Sequence, residues 1–480
     1  MRQMSAGHFA TISGAIPWAA MSASCVWVEA RIAVRQRVDA AALAVFRIVF
    51  GLLGVLIVAR FFAYGWIGEL YIEPAHHFTY LGFGWVKPWP GWGMYAHFAA
   101  LGLLALGIAA GYRYRLCALL FFLGFTYVEL LDKTAYLNHY YFAALVSLLM
   151  VFLPLNRSLS VDAWLQSRTL WDTVPAGTLW LLRGQLAAVY VFAGIAKLNA
   201  DWLLEAQPLR IWLQDHTGLP LIGPMLGEAW TAYAFSWTGA FFDLTIVGWL
   251  MWRRTRAVAY AVLVVFHLLT YLLFTEIGVF PWLMMGTALL FFPPDWPRRL
   301  VSKVRRQRIF TISKSPTNPM ETGRHNRITA LAAAAVTLFV VVQVLLPLRH
   351  YAYPGNVRWN EEGYRFAWRV LLTEKVGMVE YRVYDPVAGR RWRVLPEDYL
   401  TPLQTERMAT QPDMILETAH IIARDFAAQG YEPVQVFADV FVSMNGRANS
   451  RLVDPGVDLA AVNNSFAPKK WLLPPATSPP

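Results

Sequence analysis

The sequence predicts a membrane protein of mainly α class: a polytopic bundle of about eight or nine transmembrane helices, followed by a small C-terminal α+β domain outside the membrane. Three observations lead there. Of 480 residues, 57% are hydrophobic and 15% charged, against roughly 25% charged in soluble domains. Apolar runs long enough to cross, or nearly cross, a hydrocarbon core of about 30 Å, which takes roughly 17 to 25 helical residues, recur along the chain. Lys and Arg gather in the short connectors between those runs, where they orient helices in the bilayer. The formal net charge of +11 is therefore no argument for a nucleic-acid partner.

In chain order, residues 1–40 read as an N-terminal cytoplasmic leader without the charged, apolar and cleavage-site sequence of a signal peptide. The apolar runs lie near 41–63, 95–111, 116–131, 140–154, 179–198, 230–252, 257–274, 279–293 and 329–348. Arg31, Arg35 and Arg37 precede the first, Arg113 and Arg115 join the second and third, and Arg253, Arg254 and Arg256 join the sixth and seventh. A basic run from Arg298 and Arg299 through Lys303, Arg305, Arg306 and Arg308 precedes the last. Alternate crossing puts all of these on one side, with the loop holding Arg157 and Arg168, and so makes the N-terminus cytoplasmic. It puts 64–94, 132–139, 199–229, 275–278 and everything after His350 on the other side. The bundle is thus expected over 41–350.

From Tyr351 the composition becomes that of a water-soluble module. MVEYRVYD and VQVFADVFVSM alternate with period two, and Asp413 to Gln429 has a helical pattern. An extracytoplasmic α+β domain is expected over 351–470, leaning on the bundle for part of its burial, with a disordered tail over 471–480 that includes PPATSPP.

A charged group at the centre of a membrane helix costs about 2.5 to 3.5 kcal/mol, so each such residue needs a partner or a task. Arg47, in VFRIVFG, is read as a partner for a carboxylate or as a snorkelling side chain. Asp243, in AFFDLT, must be paired or protonated, with Arg183 or Arg47 as its partner. Lys197, in YVFAGIAKLNADW, either snorkels at a helix end or, among Phe192, Ala193, Gly194, Ile195, Ala196 and Leu198, is held as a neutral amine able to act as a general base. Gly194 leaves room for a helix or a flat ligand. Asn138 and His139 lie at the outer mouth of the fourth run, on the same face as Lys197 by this topology, and also suit an aromatic belt. His267 is a hydrogen-bonded structural histidine or a site wall, and Glu276 lies near the outer surface. Adjacent His76 and His77 lack ligands at a metal-site spacing, Cys25 and Cys117 give no cysteine site, and no phosphate loop or zinc motif is present, so no metal is expected.

Beyond these single residues, an ordered series of segments resembles the vitamin K-dependent gamma-glutamyl carboxylases and their bacterial relatives with the horizontally transferred transmembrane (HTTM) domain. It runs VFRIVFG, ELLDKTAYLNHYYF, SVDAW, LRGQLAAVYVFAGIAKLNADW, FFDLT, FHLLTYLLFTEIGVFPW and PPDWPRRL, then LPLRHYAYPGN, RFAWRV and VFADVFVSMNGRANSRLVDPGVDL. The resemblance implies that Lys197 is the base toward vitamin K hydroquinone and that Asn138 and His139 are the Asn-His pair of the active centre. His350, His267, Glu276, Trp202 and Trp368 are then expected at the substrates.

The implied chemistry couples oxygenation of the quinol by O2, ending in its 2,3-epoxide, to removal of a γ-proton from glutamate and uptake of CO2, with no metal. The implied partners are membrane lipid, the quinone and a glutamate-containing peptide or protein, in a bacterial inner membrane. The resemblance does not extend to the propeptide-docking part or the inter-segment disulfide of the animal enzymes. Epoxidation without efficient carboxylation, another quinol oxidoreductase, and a non-catalytic quinone- or lipid-binding membrane protein are the alternatives. A base at the outer edge of a bundle, beside aromatics such as Trp202, Tyr190 and Tyr141, suits a lipid-soluble quinol in any of the enzymatic readings.

Overall fold

The protein is described from a computed structural model over residues 34, 36–167, 172–274, 277–304 and 324–475. Most of the expected leader lies outside the described residues, as do Arg168, Glu276, Arg305, Arg306 and Arg308. Among the described residues, seven helices are long and apolar enough to cross a membrane, and two apolar helices are shorter. The long ones are α1 (Ala41–Ala63), α2 (Gly93–Ala110), α3 (Tyr114–Leu131), α5 (Ala176–Lys197), α6 (Ala229–Met251), α7 (Arg256–Leu273) and α9 (Arg324–Leu348). The short ones are α4 (Asn138–Phe152) and α8 (Phe280–Ala288), the latter extended to Phe291 by a tighter turn. The protein is thus an integral, multi-pass membrane protein.

Helices approach closely where glycine allows it. A β-carbon on Gly51 of α1 would lie 2.5 Å from the Ala109 nitrogen of α2, and one on Gly194 of α5 would lie 2.9 Å from the Leu244 nitrogen of α6. Arg47 is fully buried, yet among the described residues it pairs with no carboxylate. Its guanidinium donates to the carbonyls of Ile108 (2.7 Å), Ala109 (2.6 Å) and Leu159 (2.5 Å). The first two belong to the last turn of α2, which ends at left-handed Gly111, and the Ile108 carbonyl also accepts from the Gly111 nitrogen, so the arginine caps a helix C-terminus. Of the two readings of Arg47 from sequence, a carboxylate partner or a snorkelling side chain, the first is thereby replaced by a helix cap.

Among the described residues, the basic segments around Arg37, Arg113 and Arg298 lie at one end of the bundle. There a two-stranded antiparallel ribbon joins β1 (Arg37–Asp39) to β2 (Thr173–Pro175). Arg298 pairs with Asp39 at 2.9 Å, and the Asp162 carboxylate accepts from the Arg113 and Tyr114 nitrogens. The opposite end carries the module.

In the module, β3 (Lys375–Asp385), β4 (Arg390–Val394), β5 (Gln435–Met444) and β6 (Ser450–Arg451) form an antiparallel sheet of order β4-β3-β5-β6. Every second residue of β5 is buried, the pattern of a sheet covered on one face. The cover consists of α10 (Pro402–Met408) and α11 (Pro412–Ala428), with Tyr381 donating to the Ile415 carbonyl at 2.9 Å. Trp471 packs in this core and Leu472 pairs with Val453. The expected tail therefore begins later than residue 471.

Bundle and module interpenetrate. Phe78, from the loop between α1 and α2, sits in the module core, whereas Trp368 sits in the bundle core. Buried Lys133 bridges Asp413 (3.0 Å) and Glu417 (2.9 Å), and Arg365 adds a 2.7 Å contact to Asp413. These ion pairs hold the loops that frame the site.

Candidate active site

The last turn of α5 carries Lys197, and the close approach that Gly194 permits brings α6 against it. Lys197 Nζ lies 2.7 Å from Asp243 Oδ2, with the two side chains 9% and 6% exposed. Asp243 is thus the partner of Lys197, not of Arg47 or Arg183. Arg183 instead donates to the Leu290 carbonyl at 2.8 Å. Two buried charges of opposite sign satisfy each other where either alone would be prohibitive. Lys197 is accordingly not surrounded by apolar groups alone, as its neighbours in sequence suggested.

Past Lys197 the chain turns. Asn199 caps the short helix Ala200–Leu203 by accepting from the Trp202 nitrogen at 3.1 Å. This lays the Trp202 ring with its centroid 5.2 Å from Lys197 Nζ, in cation–π range, while its indole donates to the Ser236 carbonyl at 2.8 Å. From α7, His267 Nε2 meets the Tyr190 hydroxyl at 2.8 Å, and its Nδ1 has no partner among the described residues. Lys197, Asp243, Tyr190, His267 and Trp202 all line one cavity of about 280 Å³, otherwise walled mainly by Phe, Leu, Ala and Val. That volume is at about the lower end of small-molecule pockets, so it suits a ring system and not a long tail. Two of its lining residues, Ala234 and Thr238 of α6, are exposed on the side of the bundle.

A second cavity, of about 620 Å³, lies toward the module and is polar. Asn138, His139, His216, Arg369, Lys375 and Arg407 are among its lining. Asn138 opens α4, accepts from the Tyr136 hydroxyl at 3.1 Å and donates to the Arg369 carbonyl at 2.9 Å. His139 is 5% exposed and has no hydrogen bond among the described residues. The two cavities share Leu273, Phe274, Ile277, Phe280, Val370 and Leu371. Lys197 therefore lines one cavity and the Asn138–His139 pair the neighbouring one, and the two cavities meet at these six apolar residues.

The remaining candidates are dispersed. Trp368 is buried and stacked on Tyr141 at 4.9 Å, and His350 Nδ1 contacts the Pro347 carbonyl at 2.9 Å. Neither lines the two cavities. Glu276 lies outside the described residues. His77 Nδ1 lies 3.3 Å from Asp132 Oδ2, a contact made across 55 residues of sequence. Among the described residues no three His, Cys, Asp or Glu side chains gather as a metal site.

Sequence reasoning missed Asp201, whose carboxylate collects Asn445 (2.8 Å), Arg358 (3.0 Å) and Arg447 (3.0 Å) at the junction of bundle and module. Burial pushes this carboxyl up, but the Arg447 hydrogen bond and the charges of Arg358 and Arg447 outweigh that and hold it below the usual carboxylate range. The Lys197–Asp243 pair was missed too. The signal was present, since two unpaired opposite charges in neighbouring spans are each other's cheapest solution.

Comparison with known families divides the chain along the same lines. The HTTM domain family matches residues 35–296. The vitamin K-dependent gamma-carboxylase lumenal domain family matches residues 328–478. No solved structure matches the chain.

Proposed function

Since the chain belongs to the vitamin K-dependent gamma-carboxylase family, we propose that it is a vitamin K hydroquinone-dependent epoxidase and gamma-glutamyl carboxylase with Lys197 as its base. The observation that carries the reading is the Lys197–Asp243 pair in an otherwise apolar, ring-sized cavity. The residues present fit a quinol: a hydrocarbon-lined slot, a basic pair at one point and the Tyr190–His267 couple at another.

The pair acts as a unit. In the form carrying one proton fewer than ammonium plus carboxylate, Lys197 has a free lone pair. When it takes the proton of a quinol hydroxyl, Asp243 at 2.7 Å and the face of Trp202 at 5.2 Å stabilise the ammonium formed. The apolar walls exclude water, whose protons compete with any strongly basic group formed there. When bound and oxygenated, the quinol supplies a base strong enough for the γ-carbon of glutamate.

Asn138 and His139 serve from the neighbouring cavity as orienting groups. Arg369, Lys375 and Arg407 give that cavity the charge to hold a glutamyl carboxylate, and CO2 is the second co-substrate there. We place the basic end of the bundle in the cytoplasm of a bacterial inner membrane and the module outside, with a leader over 1–40, a catalytic bundle over 41–350 and the outer domain from 351 onward.

The experiment supplies purified protein with vitamin K hydroquinone, O2, labelled bicarbonate and a glutamate peptide. Epoxide plus labelled peptide is the expected result, and both are lost in folded Lys197→Ala. An unchanged epoxide rate in that variant rejects the base assignment, and tight quinol binding without turnover in the parent rejects the enzyme. Epoxide without label means epoxidation alone.

A further inference from the structure

The wall between the two cavities is completed by the module. Val370 and Leu371 line both cavities, opposite Phe274, Ile277 and Phe280 from the bundle. The segment leading to them is costly to fold. Phe366, Trp368 and Leu371 have φ of 59°, 57° and 52°, left-handed values that side chains with a β-carbon seldom adopt.

Three bundle residues overcome that preference. The Tyr136 hydroxyl accepts from the Phe366 nitrogen at 2.8 Å, Asn138 donates to the Arg369 carbonyl at 2.9 Å, and Tyr141 stacks on Trp368. Beyond the tip, Leu372 is buried in the cluster that contains Trp202. Strain maintained by this many contacts marks a position that the surroundings over-determine. Its product is an apolar tip with Lys197 on one side and Arg369, Lys375 and Arg407 on the other.

We propose that Val370 and Leu371 form a dividing wall that keeps the water and charged solutes of the polar cavity out of the Lys197 cavity, and that Leu371 thereby sets what fraction of quinol turnovers ends in carboxylation. The second half of this statement rests on the function proposed above. The first half does not.

An apolar wall between adjacent chambers keeps bulk water from a base while leaving the two chambers side by side. Truncating Leu371 joins a cavity of about 280 Å³ to one of about 620 Å³. Water then reaches the base from the polar side, and turnovers end without a carboxylated product. Asn138 gains a role on this view: its bond to the Arg369 carbonyl holds the wall, so it acts on the reaction as a positioning residue.

Two measurements test the wall. In nanodiscs, with Cys25 and Cys117 replaced by Ser, Ala193→Cys places a thiol in the Lys197 cavity. A charged, membrane-impermeant methanethiosulfonate is expected to label it at least tenfold faster when Leu371→Ala or Leu371→Gly is added, and no faster with Leu371→Met. Equal rates in all four proteins overturn the proposal.

In Cys-unmodified protein, the ratio of labelled peptide to epoxide is expected to fall at least fivefold in Leu371→Ala and Leu371→Gly and to persist in Leu371→Met. Both substitutions remove the wall side chain, while only glycine relieves the left-handed backbone that leucine and alanine share, so a fall in alanine alone is not the loss of the side chain and overturns the wall. A parent that makes no epoxide defeats the functional reading, and the labelling rates then decide the wall without it.

Discussion

At the residue scale, the centre of the site is one buried ion pair. Lys197 and Asp243 approach to 2.7 Å, and removing one partner of such a pair leaves the other charge uncompensated, at a cost of about 3 to 5 kcal/mol. Asp243→Asn is therefore expected to lower stability by about that amount and to abolish epoxide formation. The double variant Lys197→Met, Asp243→Asn is expected to recover most of the stability but none of the activity. Unfolding of the four proteins in detergent, read as a double-mutant cycle, checks this; additive losses would show that the two side chains do not interact. Tyr190→Phe removes the hydroxyl that satisfies His267 Nε2, and the buried imidazole left behind is expected to cost about 1 to 3 kcal/mol. Lys197, Asn138 and His139 were legible as candidates because polar residues stand out in apolar runs. Their division between two cavities was not, since shared depth along a membrane normal says nothing about lateral neighbours.

At the element scale, the apolar runs located the helices well, because spanning length and composition are local properties. The short fourth and eighth helices were legible as apolar, and the structure adds that neither reaches the length of the others. What the runs do not encode is which helices touch. The α5–α6 contact depends on Gly194, where a β-carbon would lie 2.8 Å from the Leu244 side chain and 2.9 Å from its nitrogen. Gly194→Ala is expected to push α6 away, costing about 1 to 3 kcal/mol as overpacking and lowering epoxide formation by loosening the Lys197–Asp243 contact. Gly184, on the same helix, has open space where its β-carbon would be, and Gly184→Ala is expected to be neutral or mildly stabilising, by up to about 1 kcal/mol. Thermal unfolding and the epoxide rate of the two variants, compared side by side, check the argument; equal effects would refute close packing at Gly194.

At the scale of the whole molecule, the module is held by ion pairs that should survive mild acid. Burial pushes the Asp413 carboxyl up, but the charges of Arg365 and Lys133 and their hydrogen bonds outweigh it and hold the group well below the usual carboxylate range. A carboxyl depressed in the folded state contributes stability that is present above its unfolded pKa of about 3.9 and is lost as pH falls through the lower folded value. Docking of the module is therefore expected to be unchanged by this group between about pH 5 and 8 and to weaken only below about pH 4. Hydrogen exchange over residues 132–139 across that range provides the measurement, with Asp413→Asn expected to exchange faster at neutral pH and to lose the acid-dependent component. A parent protein whose exchange already rises between pH 7 and 5 would contradict the assignment.

The sequence by itself determined a multi-pass bundle, an α+β module after it and the family of both, because hydrophobic runs, basic connectors, period-two strands and ordered motifs are all written along the chain. The tertiary structure alone decided that Asp243 belongs to Lys197, that Arg47 caps a helix rather than meeting a carboxylate, and that Trp368 lies in the bundle core while Phe78 lies in the module core. It also decided that Val370 and Leu371, from the module, line the cavity of Lys197. The physical reason is common to all four. Charge pairing, capping and wall formation act between groups tens to hundreds of residues apart, and no local pattern specifies which distant surface arrives to satisfy them.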